Sequence, residues 1–139
     1  MPPLPDLLDD FRFLEGDDRI SFLIDLGRQL PPMPPALKTD ATLVRGCSAS
    51  VWVYPTVEDD RMHFAADSNA AITKGLVALV VAAVDGLPAE RVAGMDIATE
   101  IAPFELGRHL SSNRTQGIPN MIALIKETAV RISEPKAAA

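Results

Sequence analysis

The alternation of apolar and polar positions divides the chain into helical and extended stretches. Leu4, Leu7, Leu8, Phe11 and Leu14 recur at the spacing of one helix face, with Asp6, Asp9 and Asp10 between them. That pattern predicts a short helix closed by Gly16. A second helix is expected from about Asp17, with Ile20, Leu23, Gly27 and Leu30 along one side. It must stop at Pro31-Pro32, because proline cannot continue a helix. Pro31 to Pro35 then reads as a stiff extended connector.

The period changes in the middle of the chain. Val51-Trp52-Val53-Tyr54 is rich in β-branched and aromatic residues and predicts a strand. Pro55 implies an edge position or a strand end. Glu58-Asp59-Asp60 is a polar turn, and Met62 to Ala66 returns as the second strand of a hairpin, which puts His63 on the strand beside Val51 to Tyr54. Thr42 to Arg45 is expected as a third strand. Asp67 or Ser68 is expected to cap the next helix, since each offers a side-chain oxygen to a free N–H. That helix runs to about Asp85-Gly86 and is apolar almost all round, so it belongs in the core. Within it, Lys74-Gly75 reads as a point of close packing. Pro88 to Leu110 breaks into short helical pieces. Ile118, Met121, Ile122, Ile125 and Ile132 mark a last helix, with Pro119 in its first turn. The order predicts an α+β fold, with helices packed on a small antiparallel sheet of about three strands. One domain over residues 1–139 is expected, with 133–139 as a frayed tail.

Composition narrows the partners. The net charge is −6, and none of the 13 basic residues clusters as phosphate binding requires, so nucleic acid is excluded as an expected partner. The longest apolar run, Leu76 to Val84, spans nine residues. A bilayer needs roughly 20. The start, Met-Pro-Pro-Leu-Pro-Asp, lacks the basic and apolar regions of a signal peptide. With a single cysteine, an internal disulfide is impossible, and a cytoplasmic location is the expectation.

That cysteine, Cys47, lies in Val44-Arg45-Gly46-Cys47-Ser48-Ala49-Ser50-Val51-Trp52, a short polar loop feeding the first strand. A thiol in such a place is a small buried hydrophobe, a metal ligand or a nucleophile. The small neighbours Gly46, Ser48, Ala49 and Ser50 permit close approach by another protein. Arg45 and Arg114 are candidate cations for stabilising a thiolate. The apolar Val51 and Trp52 are candidate shelter for the sulfur. His63, Asp67 and His109 match no zinc-ligand spacing, so no metal is expected. Cys–His hydrolysis would need His63 or His109 beside Cys47, and neither carries a signature of such enzymes. His109, Asn113 and Arg114 form a polar cluster, either a solvated cap or an anchor and contact surface for the cysteine loop. From the residues alone these alternatives stay open.

The chain resembles a known family in four ordered blocks. They are Arg19-x-x-Phe22-Leu23-Ile24-Asp25-Leu26-Gly27-Arg28-Gln29-Leu30-Pro31, Val44-x-Gly46-Cys47-x-x-x-Val51-Trp52, Phe64-x-Ala66-Asp67-Ser68-x-Ala70-x-Ile72-x-Lys74-Gly75-Leu76, and His109-Leu110-Ser111-x-x-Arg114-x-x-Gly117. Together they look like the SufE/CsdE sulfur acceptors, over about Asp6 to Ile132. The resemblance implies an α+β fold similar to iron–sulfur scaffold proteins of the IscU type. It implies that Cys47 accepts persulfide sulfur from a pyridoxal-phosphate-dependent cysteine desulfurase of the SufS/CsdA kind. It also implies stimulation of that desulfurase and delivery of sulfur to an iron–sulfur assembly scaffold. The carrier itself needs no cofactor on this reading. Where the family often has Gln then Ser after the cysteine, this chain has Ser48 and Ala49. The competing expectation is a binding module that activates a desulfurase allosterically, with Cys47 merely packed.

Overall fold

The computed structural model describes residues 1–46, 49–109, 115 and 117–134, apart from the side chains of Arg108 and His109. The first two helices are α1 (Leu4–Arg12) and α2 (Asp17–Arg28). A single 3-10 turn, Pro35–Leu37, follows the proline connector. The sheet consists of β1 (Val51–Glu58) and β2 (Arg61–Ser68), paired antiparallel. Then come α3 (Ala71–Val84), α4 (Ala89–Gly94), α5 (Ile97–Ile101), a 3-10 turn at Ala102–Phe104, α6 (Leu106–His109) and α7 (Ile118–Ser133). The class is α+β, with helices packed on a small antiparallel sheet.

Among the described residues the sheet holds two strands where about three were expected. Thr42 to Arg45 does run beside β1, but only as a bridge between Leu43 and Trp52. Val44 N–H donates to the Val51 carbonyl at 2.8 Å, and Val53 N–H donates to the Thr42 carbonyl at 2.9 Å. Thr42 is instead committed to a turn, where its Oγ1 donates to the Leu37 carbonyl at 2.5 Å. The pairing also explains why Pro55 does not end β1. Alternate residues of a strand direct their amides to opposite sides, and Val53 directs its amide away from β2. Pro55 has the same parity, so its missing N–H falls on the outer edge, where proline is tolerated.

The hairpin turn sets the register. Asp59 and Asp60 have φ of +53° and +63°, the left-handed pair that a two-residue type I′ turn demands. Glu58 therefore faces Arg61, and each step along the hairpin follows from that pair. Val51 and Val53 of β1 and Met62, Phe64, Ala66 and Ser68 of β2 point into the core. Trp52, Tyr54, His63 and Asp67 lie on the outer face.

Helix α3 is the centre of the core, with Leu76, Val77, Leu79, Val80 and Val84 fully buried. It packs against β2 on one side and α2 on the other. The α2–α3 crossing is close enough to exclude side chains at its contact point. A Cβ on Gly27 would sit 2.9 Å from the Gly75 nitrogen, and one on Gly75 would collide with the Leu23 carbonyl. An aromatic cluster closes the far side: the Phe11 ring lies 5.6 Å from Phe22 and 5.1 Å from Phe104. Arg19 binds this region together. Its guanidinium stacks 4.4 Å from the Phe11 ring, and its Nε donates to the Leu14 carbonyl at 2.6 Å. Helix α7 packs on α4 and reaches β1, bringing its first turn to the mouth of the cysteine loop. Pro119 occupies that first turn, where its missing N–H costs no helical bond. Among the described residues no helix is long and apolar enough to cross a membrane.

Candidate functional site

The candidate site is the loop that joins the Leu43 bridge to β1. Cys47, Ser48 and Arg114 lie outside the described residues, as does the His109 side chain, so their expected roles rest on the sequence. His109 ends α6. The flanks of the loop are described, and each is pinned by an asparagine.

On the entry side, Asn120 of α7 donates from Nδ2 to the Arg45 carbonyl at 3.0 Å. Gly46 follows with φ +82°, a left-handed conformation that favours glycine. A Cβ at Gly46 would also lie 2.5 Å from Asn120 Nδ2. Glycine before the cysteine thus meets both a backbone and a space requirement. Arg45 itself is exposed. On the exit side, Ser50 N–H donates to Asn69 Oδ1 at 3.1 Å, and Asn69 N–H donates to the Ser50 carbonyl at 3.3 Å. This pair continues the β1–β2 register by one step beyond Val51 and Ser68.

Beside the loop, the outer face of the hairpin carries a charged cluster. Trp52 pairs with Asp67 across the strands. The Asp67 carboxylate accepts from Lys38 Nζ at 2.5 Å and Lys74 Nζ at 3.2 Å, and from its neighbour's Ser68 N–H at 2.8 Å. Lys38 also lies 5.5 Å from the centre of the Trp52 ring, within cation–π range. Burial pushes the Asp67 carboxyl up, but the hydrogen bonds from Lys38, Ser68 and Lys74 outweigh it and hold the group below its ordinary value.

This arrangement corrects one expectation. Neither Asp67 nor Ser68 is the cap of α3: Ala70 holds that position, with no side-chain cap. Asp67 is drawn instead to the two lysines, and Ser68 Oγ accepts from the Ala70 N–H at 3.3 Å. His63 is on β2, the strand beside β1, but far from the cysteine loop. The two-residue turn sets it opposite Thr56, with its Nδ1 3.7 Å from Asp85 Oδ2. That is four residues, about 13 Å of strand, from Asp67. Val51 is buried in the core, while Trp52 is half-buried on the outer face.

The structure therefore brings Arg45, Gly46, Ser50, Trp52 and Asp67 around one loop. It adds Lys38, Asn69 and Asn120, which the sequence did not mark as site residues, and Lys74, which was expected only as a packing point. Asn69 was within reach of the sequence, because extending a two-residue hairpin turn along both strands puts Asn69 opposite Ser50. An open groove of about 720 Å³ runs alongside, between the segment before the loop and α7, lined by Leu43, Val44, Gly46, Asn120, Ala123 and Leu124. Among the described residues no three His, Asp or Glu side chains group closely enough to hold a metal ion.

The family model "SufE: Fe-S metabolism associated domain" matches residues 5–129. An uncharacterized SufE-like protein of Rhizobium meliloti (strain 1021) is 37% identical over 134 residues, covering 93% of this chain and 96% of its own length. An uncharacterized SufE-like protein of Rhizobium etli is 36% identical over 134 residues, covering 93% of this chain and 90% of its own. A solution structure of a hypothetical protein from Thermus thermophilus superposes with a TM-score of 0.74 at 19% identity, over 94% of this chain and 97% of that one. This last likeness shows the fold.

Proposed function

The chain belongs to the SufE family, associated with iron–sulfur metabolism, and from that premise we propose that it is a sulfur acceptor and carrier working on Cys47. Its donor is the persulfide of a pyridoxal-phosphate-dependent cysteine desulfurase, which it also stimulates. Its downstream acceptor is an iron–sulfur assembly scaffold, and the setting is the cytoplasm. The observation that carries the reading is the loop itself. The sole cysteine of the chain follows a glycine of positive φ, in a loop whose two ends are held by Asn120 and Asn69.

The chemistry is thiol exchange. The Cys47 thiolate attacks the terminal sulfur of the donor persulfide, a new S–S bond forms to Cys47, and the donor's S–S bond breaks to release its thiolate. One sulfane sulfur changes carrier and no external oxidant or reductant enters. A chain with one cysteine suits this role, because a second nearby thiol would attack the persulfide and release sulfide. Pyridoxal phosphate and the chemistry that cleaves the C–S bond belong to the desulfurase.

Desulfurase turnover on free cysteine tests the reading. Wild-type protein is expected to raise it, and Cys47→Ser is expected to abolish the increase. Full stimulation by Cys47→Ala would replace the carrier with an allosteric binding module.

A further inference from the structure

We propose that Asn120 is a positioning residue for Cys47, an inference that rests on the carrier reading above. The loop must present one sulfur to two different partners, so the direction in which the backbone enters Cys47 matters. Asn120 sets that direction in two ways. Its amide donates to the carbonyl of Arg45, two residues before the cysteine. The same nitrogen occupies the space where any side chain at position 46 would lie. The bond and the glycine are thus one device: Gly46 lets the chain turn at φ +82°, and Asn120 fills the room the turn leaves.

The side chain is displayed from a rigid element. Asn120 is the third residue of α7, immediately after Pro119, whose ring fixes the backbone of the first turn. The helix in turn is held by Ile118, Met121 and Ile125, all buried. A functional group on a packed helix keeps its geometry better than one on a loop. The bond nevertheless lies at the surface, on the wall of the open groove. A hydrogen bond in competition with water biases a conformational equilibrium by about two- to tenfold. That is enough to favour one presentation of the loop, and small enough for a docking partner to override. The sequence block that precedes Cys47 and the helix after Gly117 are thereby coupled across the groove.

The test compares the full-length wild type with Asn120→Ala and Asn120→Asp. Asp keeps the size of the side chain but loses the N–H donor, and a carboxylate in the first turn of a helix is favourable for stability. Sulfur gain is followed by intact mass over time, with a cysteine desulfurase and free cysteine, across a range of acceptor concentrations. Both variants are expected to lower the saturated rate about two- to tenfold, with the half-saturating concentration little changed. The thermal midpoint of Asn120→Asp is expected to be no lower than that of wild type. Transfer by Asn120→Asp at the wild-type rate would overturn the inference and leave the carrier reading intact. A parallel fall of rate and thermal midpoint in both variants would reduce Asn120 to a structural contact and overturn it too. No sulfur gain on the wild type would overturn the carrier reading and this inference together.

Discussion

Ser50 and Asn69 exchange hydrogen bonds: the serine N–H donates to the asparagine side chain at 3.1 Å, and the asparagine N–H donates back to the serine carbonyl at 3.3 Å. This pair clips the exit of the Cys47 loop to the start of α3's approach, where the hairpin register would otherwise fray. Asn69→Ala removes the acceptor on Ser50 N–H and keeps the backbone partner. It is expected to lower stability by about 0.5–1.5 kcal/mol. Urea denaturation checks the value, and Asn69→Asp, which keeps the acceptor, should stay closer to wild type.

Asp67 makes stability depend on acid. Its folded pKa is depressed, so between the folded value and the ordinary 3.8 the unfolded chain binds more protons than the folded one. Stability from the Lys38–Asp67–Lys74 cluster is therefore complete above the ordinary carboxylate value and drains away as pH falls through the folded value. Asp67→Asn removes this component. The variant should be less stable than wild type by roughly 1.5–3 kcal/mol near neutral pH, the range for hydrogen bonds to a charged group. The gap should close on acidification below the ordinary value. Urea midpoints taken across the acid range measure both; a gap that does not change with pH would contradict the assignment.

Gly75→Ala probes the α2–α3 crossing. The new methyl group meets the Leu23 carbonyl, which is backbone and cannot step aside like a flexible side chain. The helices must separate, at a cost of about 3 kcal/mol. Gly94→Ala, where nothing lies within 4 Å of the added Cβ, serves as the helix control and should not destabilise. Thermal unfolding distinguishes the two.

The turn between the strands is open to improvement. Asp60 sits at φ +63°, a conformation that costs an L-residue and suits glycine. Asp60→Gly should raise stability by about 0.5–1 kcal/mol, visible in a chemical denaturation curve.

Much of this fold can be read from residue patterns because burial enforces them. The apolar run around Leu76 to Val84 has no amphipathic face, and the structure buries it at the centre. The Pro31-Pro32 stop and the helix beginning at Ile118-Pro119 follow from the ring of proline alone. The third strand was not legible in the same way. Thr42 has the side chain of a strand former, but its hydroxyl bonds the Leu37 carbonyl, and that tertiary choice reduces the strand to one bridge. The capping role expected of Asp67 failed for a related reason. A carboxylate beside two lysines gains more from ion pairs than from one helix amide, and Lys38 arrives from 29 positions earlier in the chain. At the candidate site, the glycine before Cys47 was visible in the sequence. Its reason was not, because Asn120 comes from the last helix and only folding brings it to the loop. The polar turn at Glu58-Asp59-Asp60 was legible, but its length was not: the left-handed Asp59-Asp60 pair makes it two residues and leaves Glu58 in β1.

The most direct measurement of the central claim is the intact mass of the protein after incubation with a cysteine desulfurase and free cysteine, without reductant. The account predicts a gain of one sulfur atom on the wild type, removed by a thiol reductant and absent from Cys47→Ser. An unchanged mass on the wild type, while it still stimulates the desulfurase, would contradict it.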